Sequence, residues 1–410
     1  MKHRILLLLL IALSGTMALY AQVTVSGSHA SSNGTYTKLS LAFTAINTYS
    51  QTGNNIVITI TSAPTAESGS ATLNAGTWTT LKIYPTTSGL SISGNFSAPL
   101  IDLNGADNAT IDGRVNATGL TNDMTISNTN TSAGGTTSTI RFINGATNNT
   151  IQYCIIKGST TNSESGILCF STSTGTSGNS SNVVDHNEIT NAAGSRPVSA
   201  ITSDGSASYY NSSNTISNNN IHDVLNANPN HAFVIKLGIG GDGGQSYNDA
   251  WTISGNSFYD TQDYTITTGN NMRILYIYAD GGNAFNILNN YFGGSAPLCG
   301  GTWNKTTGNN TFQLMEFRVG TSTASEIQGN TIKNINFTNT GSNKWWGINM
   351  QRGKINIGTT AGNCYGASDG TGSITFTGTG NGSEFYAFHF QSSDVNAQNN
   401  IIGSITVANT

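Results

Sequence analysis

Hydrophobic and polar positions along this chain fall into one repeated phrase: an apolar residue, two more residues, Asn, one residue, then a second apolar residue. The phrase occurs at Val184/Asn187/Ile189, Ile216/Asn219/Ile221, Ile253/Asn256/Phe258, Ile287/Asn290/Phe292, Ile327/Asn330/Ile332 and Ala397/Asn400/Ile402. The first five copies stand roughly 35 residues apart and the sixth follows at about two such intervals, the mark of stacked units that cannot bury their apolar faces singly. Each copy predicts two short strands meeting at a bend, with both apolar side chains inward and the Asn tolerating a left-handed backbone at the corner. Stacked at about 4.8 Å per coil, Asn187, Asn219, Asn256, Asn290, Asn330 and Asn400 predict a ladder of side-chain amides. Apolar residues at sustained three- and four-residue spacing, which a helical repeat needs, are interrupted too often by Asn, Gly, Ser and Thr.

A further strand precedes each later copy. Thr139 to Ile143, Gly166 to Phe170, Val198 to Thr202, Phe233 to Ile239, Met272 to Tyr278, Phe312 to Val319, Trp346 to Met350 and Glu384 to Phe390 have the composition. Coils of about three strands, with loops of unequal length between them, predict an all-β chain: a single-stranded parallel β-helix solenoid. Parallel crossovers favour the right-handed form, and the strict hexapeptide spacing of the left-handed form is absent. Near the start, Tyr36, Leu39, Ala42, Phe43 and Ile46 recur at helical spacing. They predict a short capping helix over the first coil, where apolar surface and strand edges would otherwise be bare. The chain thus divides into residues 1–21, a lead-in strand and capping helix at 22–60, and the β-helix at 61–410. Residues 403–410 still read as repeat, so the expectation is a longer polypeptide with further C-terminal modules.

Composition narrows the function. Charged residues are 9% of the chain, with 48 Gly and a net charge of -4; nothing in that balance attracts nucleic acid. Residues 1–21 read as an export signal: Lys2, His3 and Arg4 precede the apolar Leu6–Ala12, and cleavage is expected after Ala21,. The apolar run is too short to span a bilayer, and no second one follows, so no transmembrane segment is expected. The expected location is secreted or at the outer cell surface. Cys154, Cys169, Cys299 and Cys364 show no metal spacing and read as buried thiols, a bridge between Cys299 and Cys364 remaining open. Cys154 stands where the ladder otherwise has Asn.

The run from Pro99 to Arg114, the strand Ser138–Asn144 and the phrase Trp251–Phe258 resemble large exported β-helix proteins of Gram-negative bacteria with type IX secretion. The resemblance covers nearly all the mature chain. It implies a right-handed, pectin-lyase-like helix on a secreted or surface protein; proteins of that kind often carry further β-sandwich modules and a C-terminal sorting domain. It transfers fold and location more than activity.

The same fold hosts pectin-acting enzymes, so catalysis has to be weighed at named residues. Aligning the Asn phrases sets Asp223 beside Asp260, with His222 and Tyr259 alongside. Two carboxylates about 5 Å apart could share a proton or hold a cation such as calcium; a column of turn-capping Asn and Asp is the plainer reading. Ile111–Arg114 reads as a bend, Gly supplying the turn and Asp capping it. The glycine-rich stretch 238–244 lacks the ending of a phosphate loop. For ligand contact, alternation with Ile348 and Met350 puts Trp346 inward and Trp345 outward. The same rule buries Tyr386, Phe388 and Phe390 and exposes Phe385 and His389. Tyr209 and Tyr210 lie in a variable loop. Exposed aromatics such as these stack on sugar faces. Arg141, Lys236, Glu316 and Arg318 fall on one outward face.

The leading expectation is a noncatalytic adhesin, stalk or glycan-contact surface facing an extracellular glycan or surface polymer, with no cofactor. The alternative is a polysaccharide lyase or glycoside hydrolase using His222, Asp223 and Asp260.

Overall fold

The computed structural model describes residues 22–409 apart from 63–64, 135, 228–230, 240–243, 267–270, 309, 342–343, 370–372 and 380–382. Residues 1–21, read above as an export signal, lie outside that set. The chain winds into a parallel β-helix solenoid whose sheets hold 21, 11 and 5 strands, with a small two-stranded sheet beside them. Face one carries the strands that enter the Asn bend, such as Val183–Asp185, Thr215–Ser217 and Thr252–Ser254. Face two carries those that leave it, such as Glu188–Asn191, Asn220–His222 and Ser257–Tyr259. Face three holds the longer strands, including Ser199–Ser203, His231–Leu237, Asn271–Ala279 and Thr311–Val319. Lys344–Ile357 and Glu384–Ala397 run along face three and on into face one without a break, which joins those two faces into the 21-stranded sheet. From Tyr264–Ile266 onward a short fourth face is added.

The phrase sets the register. Ile151, Val184, Ile216, Ile253, Ile287 and Ile327 lie one over the next. All are fully buried and belong to one continuous apolar core. Stacking equivalent residues lets that core lengthen coil by coil.

The amide ladder runs beside this core. In each rung the backbone N–H and the Nδ2 of one Asn both donate to Oδ1 of the next: Asn187 to Asn219 at 2.8 and 3.0 Å, Asn219 to Asn256 at 3.0 and 3.0 Å. The same Nδ2 also donates to a face-one carbonyl of the preceding coil, as Asn256 does to Ile216 at 2.8 Å. Cys154 holds the rung before Asn187 and donates its N–H to Asn187 Oδ1. Asn363 fills the rung between Asn330 and Asn400.

One detail of the bend differs from expectation. The left-handed residue is not the ladder Asn but the residue before it: Tyr153, His186, Asn218, Gly255, Asn289, Gly329 and Asn399 all have positive φ. Turning the backbone one residue early leaves the Asn side chain pointing inward. Where that position carries bulk, stacking offsets the strain: the Arg114 guanidinium lies 4.3 Å from the Tyr153 ring centre, and Tyr153 stacks on His186 at 4.8 Å. The Ile111–Arg114 bend is built as read. Asp112 Oδ1 accepts the Arg114 N–H, and a Cβ on Gly113 would meet Tyr153 O at 2.0 Å.

At the N-terminus, Val23–Ser26 pairs antiparallel with Gly34–Tyr36 and with Asn55–Ile60. The helix Leu39–Thr48 closes the first coil with Leu39, Ala42, Phe43 and Ile46 buried. Lys38 supplies no side-chain cap; instead the Glu67 carboxylate accepts from the N–H groups of Leu39 and Ser40 at 2.7 and 3.2 Å, favourably placed at the positive end of the helix,.

Candidate functional site

Two places gather chemistry: the corner after face two around Asp223 and Asp260, and the outer surface of face three. At the corner, parallel register stacks His222 on Tyr259, with ring centres 4.9 Å apart. Asp223 and Asp260 do come together, but through a cation between them. Arg196, from the loop after Glu188–Asn191, donates Nη2 to Asp223 Oδ1 at 3.0 Å and Nη1 to Asp260 Oδ1 at 2.5 Å. Its guanidinium lies 3.8 Å over the Tyr264 ring. Asp260 Oδ2 accepts from Trp303 Nε1 at 2.7 Å and from Lys305 Nζ at 2.9 Å. Asp223 Oδ2 accepts from the Thr261 hydroxyl at 2.7 Å and lies 2.8 Å from His222 Nδ1. Glu188 faces the other ring nitrogen at 3.5 Å.

The corner is therefore a closed ion network. Burial opposes charge on His222, but its bonds to Asp223 and Glu188 outweigh burial and raise its pKa to about 9. Burial likewise opposes the Asp223 carboxylate, yet His222, Thr261 and Arg196 hold it down to about 2. Burial lowers the pKa of Lys305 against the pull of Asp260. Every side-chain oxygen of Asp223 and Asp260 already accepts from a neighbour, so the oxygens a cation would need are engaged. Among the described residues no group of three or more His, Cys, Asp and Glu is arranged to hold a metal ion.

A pH dependence follows. The folded pKa of His222 exceeds its ordinary 6.5, so its stabilisation is complete below pH 6.5 and is lost as pH rises through about 9,. Asp223 behaves oppositely, losing its contribution as pH falls from 3.8 through about 2. Denaturant melts at about pH 6 and about pH 10 should show wild type losing roughly 2–3 kcal/mol more than His222→Gln. Equal losses in the two proteins would refute the protonated network.

On face three, the outward positions form two adjacent columns. One runs Arg141, Cys169, Thr202, Lys236, Tyr276, Glu316, Asn349, His389; the other runs Phe233, Arg273, Gln313, Trp346, Tyr386. The expected outward charges are there but mostly covered and paired. Arg141 makes a bidentate pair with Asp102, both bonds 2.8 Å. Lys236 is fully buried under the 159–166 loop, donating to Ser163 O at 2.7 Å beside Glu164. Arg273 Nε donates to Glu316 at 2.5 Å. Nearby, burial pushes the Asp204 carboxyl up to about 7 against the pull of Lys236, and its buried Oδ1 has no hydrogen-bond partner among the described residues.

Trp345 is corrected by the structure: it is wholly buried, stacked on Phe312 at 4.7 Å and hydrogen-bonded to the Tyr365 hydroxyl. Trp346 is the half-exposed one. The reason is a corner within face three. Pairing lapses at Val234, Ile274, Leu314 and Gly347, so inward residues on either side are three apart, as Phe312 and Met315 are, and alternation changes phase. A Cβ on Gly347 would sit 2.3 Å from Ala387 O, so the corner has room only for Gly there. The same shift turns Phe385 toward the core against Trp345, and leaves Tyr386 outside with His389. Phe388 is half-buried and Phe390 exposed, not buried as expected.

Trp346 stacks on His389 at 4.9 Å, and its buried Nε1–H has no partner among the described residues. Tyr209 closes a tight turn with Ser206, and Tyr210 packs edge-on against Tyr247; both remain half-exposed. Cys154, Cys169, Cys299 and Cys364 are all free thiols, with no bridge between Cys299 and Cys364. Burial raises Cys169 to about 12 and Cys299 to about 11, which keeps both as neutral thiols.

No protein-family model, curated protein or solved structure matches this chain. The fold defines a class, the parallel β-helix solenoid. No helix among the described residues is long and apolar enough to cross a membrane.

Proposed function

We propose that this chain is an exported, noncatalytic β-helix that contacts an extracellular glycan through the outer surface of face three. The observation that carries the reading is the platform of Trp346, His389 and Tyr386: half-exposed rings set side by side on the outer surface of face three and supported from beneath by the buried amides of Gln313 and Asn349. A sugar ring supplies an apolar face for such aromatics to stack on. The neutralised network at Asp223 and Asp260 supports a structural role for that corner. Residues 1–21, read as an export signal, support a secreted or surface location. A glycan array should give binding that Trp346→Ala weakens about tenfold. Wild-type affinity in that variant, with the fold intact, overturns the platform.

One observation favours the second reading, a polysaccharide lyase or hydrolase: the near-neutral Asp204 carboxyl beside buried Lys236. Release of unsaturated or reducing oligosaccharides by wild type but not by Asp204→Asn supports it and overturns the noncatalytic reading.

A further inference from the structure

At the turn from face three into face one lies an open trough of about 540 Å³, lined by Arg318, Thr321, Gln351, Arg352, Gln391 and Asp394. Its geometry comes from a local irregularity. Arg318 follows Tyr278 in the ladder, and the register then shifts between Phe317 and Arg318, so that Arg318 pairs with Arg352 of the next coil. Gly353, at φ 115, carries the strand round the corner. Two guanidiniums that successive coils would otherwise keep apart are brought to one hollow. The Arg318 guanidinium sits over the Tyr278 ring, 4.1 Å from its centre.

The charge there is only half satisfied. Both arginines reach a single oxygen, Asp280 Oδ2, each at 3.2 Å. Asp280 Oδ1 and Arg318 Nε, both buried, have no partner among the described residues, and the remaining guanidinium nitrogens face the hollow's exposed side with Arg352. Asp394 lies exposed on the trough lining, opposite exposed Lys354 in the ladder. Three cations thus stand against two carboxylates. By contrast, Arg114 and Arg141 each clasp a carboxylate through two of their own nitrogens and have little capacity left. A planar guanidinium fork with free donors binds an oxyanion bidentately, which an ammonium does not. The amides of Gln351 and Gln391 and the Thr321 hydroxyl offer partners for neutral hydroxyls around such a group.

We propose that this trough is an oxyanion subsite: Arg318 and Arg352 take the carboxylate or ester sulfate of an acidic saccharide whose neighbouring units lie along face three. The inference rests on the glycan-contact reading and adds the charge class of the ligand. Calorimetry on the full chain with a dextran sulfate oligosaccharide, an alginate oligosaccharide and a neutral isomalto-oligosaccharide of equal length tests it. Both acidic probes, or one of them, should bind more tightly than the neutral probe, and which one does so identifies the oxyanion. Arg318→Gln/Arg352→Gln should weaken the acidic probe about tenfold or more and leave neutral binding unchanged. Arg318→Lys/Arg352→Lys should recover only part of it. If the paired variant melts early, Arg352→Gln alone carries the test, since that side chain is 56% exposed.

Acidic probes binding no tighter than the neutral one, or a folded glutamine variant with wild-type affinity, overturns the subsite. Neutral binding that depends on Trp346 but not on the arginines leaves the glycan reading standing without it. Absence of binding to all three saccharides overturns both.

Discussion

Asn256→Ala is expected to destabilise the middle of the solenoid by roughly 3–5 kcal/mol, because four hydrogen bonds to buried polar groups are lost at once,. Asn256 Oδ1 accepts from the N–H and the Nδ2 of Asn219, and Asn256 Nδ2 donates to Ile216 O and to Asn290 Oδ1. Asn219 and Asn256 are both fully buried, so water cannot take over those bonds. Asn256→Asp keeps an acceptor but turns the donor to Ile216 into a second acceptor with charge, and should be no better. Asn400, at the last rung and only half-buried, gives the control: its alanine variant should cost about 1 kcal/mol or less,. Urea denaturation followed by far-UV circular dichroism measures both. Equal, small losses at Asn256 and Asn400 would mean the amides do not hold the coils together. In a solenoid each coil touches only its neighbours, so a broken central rung should also separate the melt into two steps.

That ladder was the part of the molecule most open to reading from sequence. A stacked position repeats its residue type, so six rungs announced themselves by spacing alone. The fifth interval hid a rung because the bend before Asn363 is longer: five residues separate Ile357 from it in place of the usual two. The chain conserves the inward amide and lets the loop vary. Two shorter ladders, Asn149–Asn182–Asn214 and Asn179–Asn211, went unread although they share the same geometry. Their signal is the repeated Asn-Ser-Ser-Asn at 179–182 and 211–214, which places two rungs three residues apart.

The candidate site was less legible for two physical reasons. Period-two alternation holds only along an unbroken strand, and face three turns a corner at Gly347, which exchanged the roles of Trp345 and Trp346. Coil alignment predicts what lies above what, so it found His222 over Tyr259 and brought Asp223 to Asp260. It is blind to a side chain arriving from a loop, because loops do not repeat. Arg196 reaches Asp223 and Asp260 across 27 and 64 residues. Trp303 and Lys305 reach Asp260 from the fourth face, which earlier coils lack. The one hint was the scarcity of basic residues, 16 Lys and Arg in 410, with an arginine set just before Pro197 in a loop beside two aligned aspartates.

Arg196→Met should consequently behave as a structural lesion, costing about 3–5 kcal/mol. The substitution keeps much of the apolar stem against Tyr264 but removes the charge that neutralises two buried carboxylates. Asp260 would keep Lys305 and Trp303, whereas Asp223 would keep only His222 and Thr261. The pKa of Asp223 should rise, and that of His222 should rise further with one neighbouring cation gone. Adding Asp223→Asn to Arg196→Met should restore part of the stability, since it withdraws one of the uncompensated charges. The coupling between the two substitutions, measured by a double-mutant cycle in denaturant, should be about 1.5–3 kcal/mol. Histidine titration followed by NMR supplies a readout that simple loss of packing would not move. An Arg196→Met protein with the wild-type denaturation midpoint and an unshifted His222 would show that the corner is held by packing rather than by charge. The carboxylates at Asp223 and Asp260 would then be free for the acid–base role that the network now denies them.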